Sequence, residues 1–132
     1  GFSSSYEYDK DCITVTARGT IGVASSRDHK FNAIGRVLVL TPSTNLNCEF
    51  ISEYINSRVT FSVESTGVPQ LTAPQISKYD VAFPSLPEQT AIAQILSDMD
   101  TEINQLEQKR DKYKDLKQAM MQQLLTGKIR LV

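Results

Sequence analysis

Residues 88–126 contain neither glycine nor proline, in a chain of only 132 residues. With no breaker in the way, the spacing of apolar side chains decides what this stretch becomes. Ile92, Leu96, Met99, Ile103, Leu106, Tyr113, Met120 and Leu124 fall on an alternating four-three register, the a/d seam of a coiled coil. The same register puts Arg110 and Lys117 at a positions, where charge lowers stability and can fix the orientation of a partner helix. Leu116, Met121 and Leu125 lie off the seam and widen the apolar stripe toward the C-terminal end. Ser85 and Glu88 fit a capping box with Pro87 in the first turn, and Gly127 fits the residue that stops the helix. At 1.5 Å per residue such a helix reaches on the order of 55–60 Å. A domain of some eighty residues spans only about 25–30 Å. The rest of the stripe is therefore expected to lie against another helix.

The first 83 residues read differently. "CITVTA" alternates with period two and predicts a strand over 12–17, and Gly19 and Gly22 bracket a tight turn. "IGVAS" (21–25) predicts the returning strand, and the polar "SRDHKFN" (26–32) a loop. "GRVLVLT" (35–41) predicts a buried strand closed by Pro42. Phe50, Ile51, Tyr54 and Ile55 then switch to helical spacing, with Asn47 as N-cap and Glu49 in the first turn. "ESTGVPQ" (64–70) reads as a loop and "TAPQIS" (72–77) as one helical turn, and "KYDVAF" (78–83) predicts a final strand. The expected fold is α+β: a small mixed domain over 1–83, followed by one long coiled-coil helix over 84–132.

Composition narrows the function classes. Net charge is −1, so no global field draws the chain onto nucleic acid, and DNA contact would rest on a few placed side chains. Cys12 and Cys48 have no CxxC spacing, and a single histidine, His29, leaves no metal-ligand set. They read as reduced, mostly buried thiols in a cytoplasmic protein. Neither a membrane span nor a signal peptide is expected. "GFSSSYEYDKD" opens without methionine, as expected of a piece of a longer protein whose first domain lacks its front. Gly-rich phosphate loops, nucleophile elbows and methyltransferase cofactor loops are all missing from the sequence, so no catalytic residue is expected.

"FPSLPEQTAIAQILSDMDTEI" and "LKQAMMQQLLTGKIR" resemble the two ends of the helical region of specificity subunits from type I restriction–modification systems. "TARGTIG" resembles the Arg-Gly-x-Ile-Gly turn of that family's target recognition domain, and "STGVPQLTAPQISKYDVAFP" its Gly-x-x-Gln-x-Leu segment. The matches run in the family's order over roughly residues 12–130. The resemblance implies a non-catalytic DNA-recognition subunit whose helix, paired with a second, spaces the halves of a bipartite site. It also implies double-stranded DNA and a methyltransferase subunit as partners, with the restriction subunit engaged indirectly. S-adenosylmethionine would sit on the methyltransferase, and this chain would carry no cofactor. Self-association through the long helix is a further expectation.

Base edges are read by a few donors and acceptors, with arginine suited to guanine and glutamine to adenine. On that basis the DNA-binding candidates are Arg18 and Gly19 in the first turn, Arg27, His29 and Lys30 in "SRDHKFN", and Ser65, Thr66 and Gln70 in "ESTGVPQ". The alternative is a coiled-coil protein-interaction module with no DNA specificity.

Overall fold

The computed structural model describes residues 5–42, 46–63 and 67–132. The chain divides into two compact units, residues 1–93 and 94–132.

The first unit is built on a three-stranded antiparallel sheet in the order β2-β1-β3. The strands are β1 (Cys12–Thr16), β2 (Ala24–Arg27) and β3 (Val37–Leu40). Cys12 pairs with Arg27 and Val15 with Ala24 on one side, and Ile13 pairs with Leu40 and Thr16 with Val37 on the other. Both sets of alternating side chains of β1 are buried, with α1 packed on the strand and the Arg27 and Thr41 side chains against Thr14 and Cys12. Ile13, Val15 and Ala17 enter the core, while Cys12 and Thr14 are covered on the opposite face. An isolated bridge between Tyr8 and Phe31, with stacked rings 5.4 Å apart, ties the N-terminal segment to the residues following β2.

Helix α1 (Cys48–Arg58) starts where the sequence indicates, with Asn47 Oδ1 accepting from the Phe50 amide at 2.9 Å. It lies on β1 and β2 and buries Phe50, Ile51 and Ile55. Asn56 fastens it to the edge strand: its Oδ1 accepts from the Ala24 amide and its Nδ2 donates to the Ala24 carbonyl. The one-turn helix α2 (Ala73–Ile76) follows Thr72, whose amide donates to Gln75 Oε1.

Three local expectations are corrected. The return strand begins at Ala24 rather than Ile21, because Gly19 (φ +75°) and Gly22 (φ +87°) use up the intervening residues in the turn. A Cβ at Gly22 would come within 2.6 Å of the Phe61 ring, so the turn also needs glycine for space. Ser26 and Arg27, expected in a loop, belong to β2; an edge strand facing solvent tolerates polar residues. Residues 78–83 form no strand. Phe83 instead packs edge-on against Phe50 and Tyr54, and the Tyr79 hydroxyl donates to the Thr60 carbonyl. Aromatic burial against α1 fixes this segment, and a period of two in the sequence cannot distinguish that from pairing.

Helix α3 (Leu86–Leu124) runs without a break for 39 residues. The side chain reaching back at its start is Gln89, not Glu88. Gln89 is 2% exposed; it donates from Nε2 to the Pro84 carbonyl (2.8 Å) and accepts at Oε1 from the Asn47 amide (3.0 Å). Its first turns complete the core of the first unit, where Ala93 is buried and Ile92 half-buried.

In the second unit the helix ends as expected. The amide of Gly127, at φ +71°, donates to the Leu124 carbonyl, and the Ile129 amide donates to that of Gln123. Along this unit Met99, Ile103, Leu106, Tyr113 and Met120 are all exposed, as are Leu116 and Met121 beside the seam. Leu96 and Leu124 are half-buried. Arg110 and Lys117 are exposed as well, and Arg110 is held by its own helix through Asp111 (2.9 Å) and Glu107 (3.5 Å).

Candidate nucleic-acid interface

The sheet sorts the described DNA-binding candidates into two groups at opposite ends of β1. Arg18 lies two residues past the end of β1, whereas Arg27 pairs with Cys12 at its start. Six residues of extended chain separate the two positions by roughly 20 Å.

At the first end, Arg18 and Gln70 come together across 52 positions of sequence. Arg18 donates through Nε (2.9 Å) and through Nη2 to the same acceptor, Gln70 Oε1. The backbone enforces this meeting. The Leu71 amide donates to the Ala17 carbonyl at 2.9 Å, and Leu71 is fully buried, so its neighbour Gln70 is brought against the turn. Gly19 shapes that turn with its positive φ. Ser65 and Thr66 lie outside the described residues.

The second group is more dispersed. Arg27 donates from Nε to the buried Thr14 hydroxyl at 3.1 Å, which lays its side chain along the sheet. His29 Nδ1 lies 2.7 Å from Asp28 Oδ1. That hydrogen bond holds the Asp28 carboxyl below its usual range. Lys30 donates to the Tyr6 hydroxyl (2.6 Å), its ammonium lies 4.1 Å from the Tyr6 ring centroid, and Asp9 stands 3.9 Å away. His29 and Lys30 are both exposed, and each has a carboxylate beside it.

Sequence reasoning missed Arg36. The register of β1 with β3 continues past Thr16–Val37, and the Arg36 carbonyl accepts from the Ala17 amide at 2.7 Å. Arg36 thus sits beside Arg18 at the same end of the sheet. Its φ of +74° was invisible in "GRVLVL", although an arginine directly after a glycine at a strand entrance was a usable signal.

The remaining chemistry is limited. Cys12 is buried and Cys48 half-buried, both free, with burial pushing the Cys48 thiol up. No group of three or more potential metal ligands occurs among the described residues. The apolar cleft of about 330 Å³ between α1, the end of β3 and residues 79–83 has Asp80 as the only charged lining residue among the described residues. No helix of the described residues is long and apolar enough to cross a membrane.

The described residues thus combine a small antiparallel sheet, with Arg18 and Arg36 at one end, and a long helix whose apolar seam is exposed. The chain belongs to the type I restriction modification DNA specificity domain family, whose model matches residues 1–114. Three proteins of Mycoplasma pneumoniae named as type I specificity subunits are similar to it. One is 32% identical over 96 residues (73% of this chain, 26% of the relative). A second, named as the C-terminus of such a subunit, is 30% identical over 95 residues (72% and 65%). The third is 30% identical over 95 residues (72% and 28%). The chain therefore spans from about a quarter to somewhat under two thirds of the length of these relatives.

Proposed function

We propose that this chain is a sequence-recognising, non-catalytic part of a type I restriction–modification specificity subunit. Family membership carries this reading, because the matched region takes in both the sheet unit and most of α3. In this reading residues 1–83 form the recognition domain. Arg18, Gly19 and Gln70 contact one part of the DNA, Arg27, His29 and Lys30 another, and Ser65 and Thr66 complete the set. Residues 84–132 act as spacer and docking rod. Their seam (Ile92, Leu96, Met99, Ile103, Leu106, Arg110, Tyr113, Lys117, Met120, Leu124) receives a second helix, from another copy or another half-subunit. Methyltransferase subunits docked on that pair bring the S-adenosylmethionine site to the DNA, and the restriction subunit joins through them in the cytoplasm. Five exposed apolar side chains on the seam support the need for a partner helix.

The test is a gel-shift titration at stated salt, with and without the methyltransferase subunit. The reading expects co-elution with that subunit at micromolar concentration and sequence-selective DNA binding that sharpens in the complex. The same exposed seam favours a second reading, a coiled-coil interaction module, which expects dimerisation with no DNA preference in either state. Failure to co-elute, together with no preference among duplexes, would favour the second.

A further inference from the structure

Arg36 occupies a backbone position that arginine should avoid. At φ +74° a residue with a Cβ is strained, and only glycine adopts that conformation freely. The cost is not offset locally: among the described residues no carboxylate forms an ion pair with Arg36, and its side chain is exposed. Continuing the strand register puts Arg36 opposite Ala17, which faces the core at 2% exposure. An ordinary extended residue there would share Ala17's inward face; the left-handed conformation is what accompanies an outward side chain. Next to it, Gln70 accepts from one edge of the Arg18 guanidinium, through Nε and Nη2. The opposite edge, with Nη1 and the outer Nη2–H, is left as a two-pronged donor. An exposed arginine normally samples many rotamers, and one braced in this way loses less freedom when it binds.

We propose that Arg36 is a DNA phosphate contact beside Arg18, and that Gln70 is a positioning residue that aims the Arg18 fork at a guanine edge. The part of Gln70 in the DNA interface proposed above is then to hold Arg18 in place, and the base is read by Arg18. This rests on the DNA-recognition reading and adds to it a residue and a division of labour.

The experiment uses the whole specificity subunit assembled with its methyltransferase subunits. Wild-type protein first selects sites from a random duplex pool, and variants are then titrated on the enriched sequence and on a scrambled one. Arg36→Gly should weaken binding to both duplexes about tenfold and reduce the salt slope by about one. It should leave the thermal midpoint unchanged or raised by up to about 5 °C, since glycine relieves the backbone. Gln70→Leu should cost about as much as Arg18→Ala on the enriched site, less on the scrambled one, and nothing further in the Arg18→Ala background. Gln70→Glu, which keeps the acceptor, should preserve the enriched sequence. Binding by Arg36→Gly within twofold of wild type overturns the phosphate assignment. Additive losses from Gln70→Leu and Arg18→Ala overturn the positioning role. No enrichment by the wild-type protein sinks the DNA-recognition reading itself, and this inference with it.

Discussion

The two units of this chain satisfy their apolar residues in opposite ways. In the first, the described buried side-chain polar atoms all have partners, and Ile13, Val15 and Leu71 are at or below 2% exposure. In the second, Met99, Ile103, Leu106 and Tyr113 are each more than half exposed. Both have the residue types of an interior, but among the described residues those of the first are buried and those of the second are exposed. The first unit should therefore respond to substitution as a folded domain does, and the second as one side of an interface.

The largest effect expected from breaking this contrast is in the sheet. Ile13→Ala removes most of a buried side chain at the centre of the core and should cost about 2–5 kcal/mol in urea unfolding followed by near-ultraviolet circular dichroism. A loss below ~1 kcal/mol would mean that the unit is loosely packed. Gln89→Ala comes next. It strands the Asn47 amide and the Pro84 carbonyl, and should cost about 1–3 kcal/mol by the same measurement.

Ile103→Asp should behave in the opposite sense. At 54% exposure it should shift the stability of the first unit by less than about 0.5 kcal/mol, whereas the association proposed through the helix, followed by light scattering, should be abolished. An unchanged oligomeric state would show that the seam is not an interface. Gly127→Ala, at φ +71°, should cost about 1 kcal/mol, confined to the end of α3 and read as faster amide exchange near Gln123–Ile129.

The smallest effect is electrostatic. Asp111 is held below the usual carboxylate range chiefly by its hydrogen bond from Arg110, and Asp28 by that from His29. A depressed carboxyl contributes stability above its unfolded pKa and loses it as pH falls through the folded value. Both groups are exposed, so acid titration followed by NMR should move their own resonances late while barely moving the unfolding midpoint.

Local signals were legible where one short-range interaction decides the outcome. Asn47 caps α1, Gly127 ends α3 and Thr72 opens α2, each through groups within a few residues. The "KYDVAF" strand failed because its aromatic residues had two ways to be buried, and only the placement of Phe50 and Tyr54 chose between them. Arg18 and Gln70 stand 52 positions apart, and nothing in either segment specifies that they share a hydrogen bond. The conformation of Arg36 was not legible because the apolar strand directly after it specifies packing and says nothing of the φ of the residue before it.

What the sequence determined alone was the kind of protein: an α+β chain, an unbroken helix with a greasy stripe, and a family resemblance. These follow from periodicity and from breakers, which act over a few residues. Tertiary structure decided which polar residues share an end of the sheet. It set Arg18, Arg36 and Gln70 together and Arg27 roughly 20 Å away, because strand register, not order along the chain, fixes those neighbours.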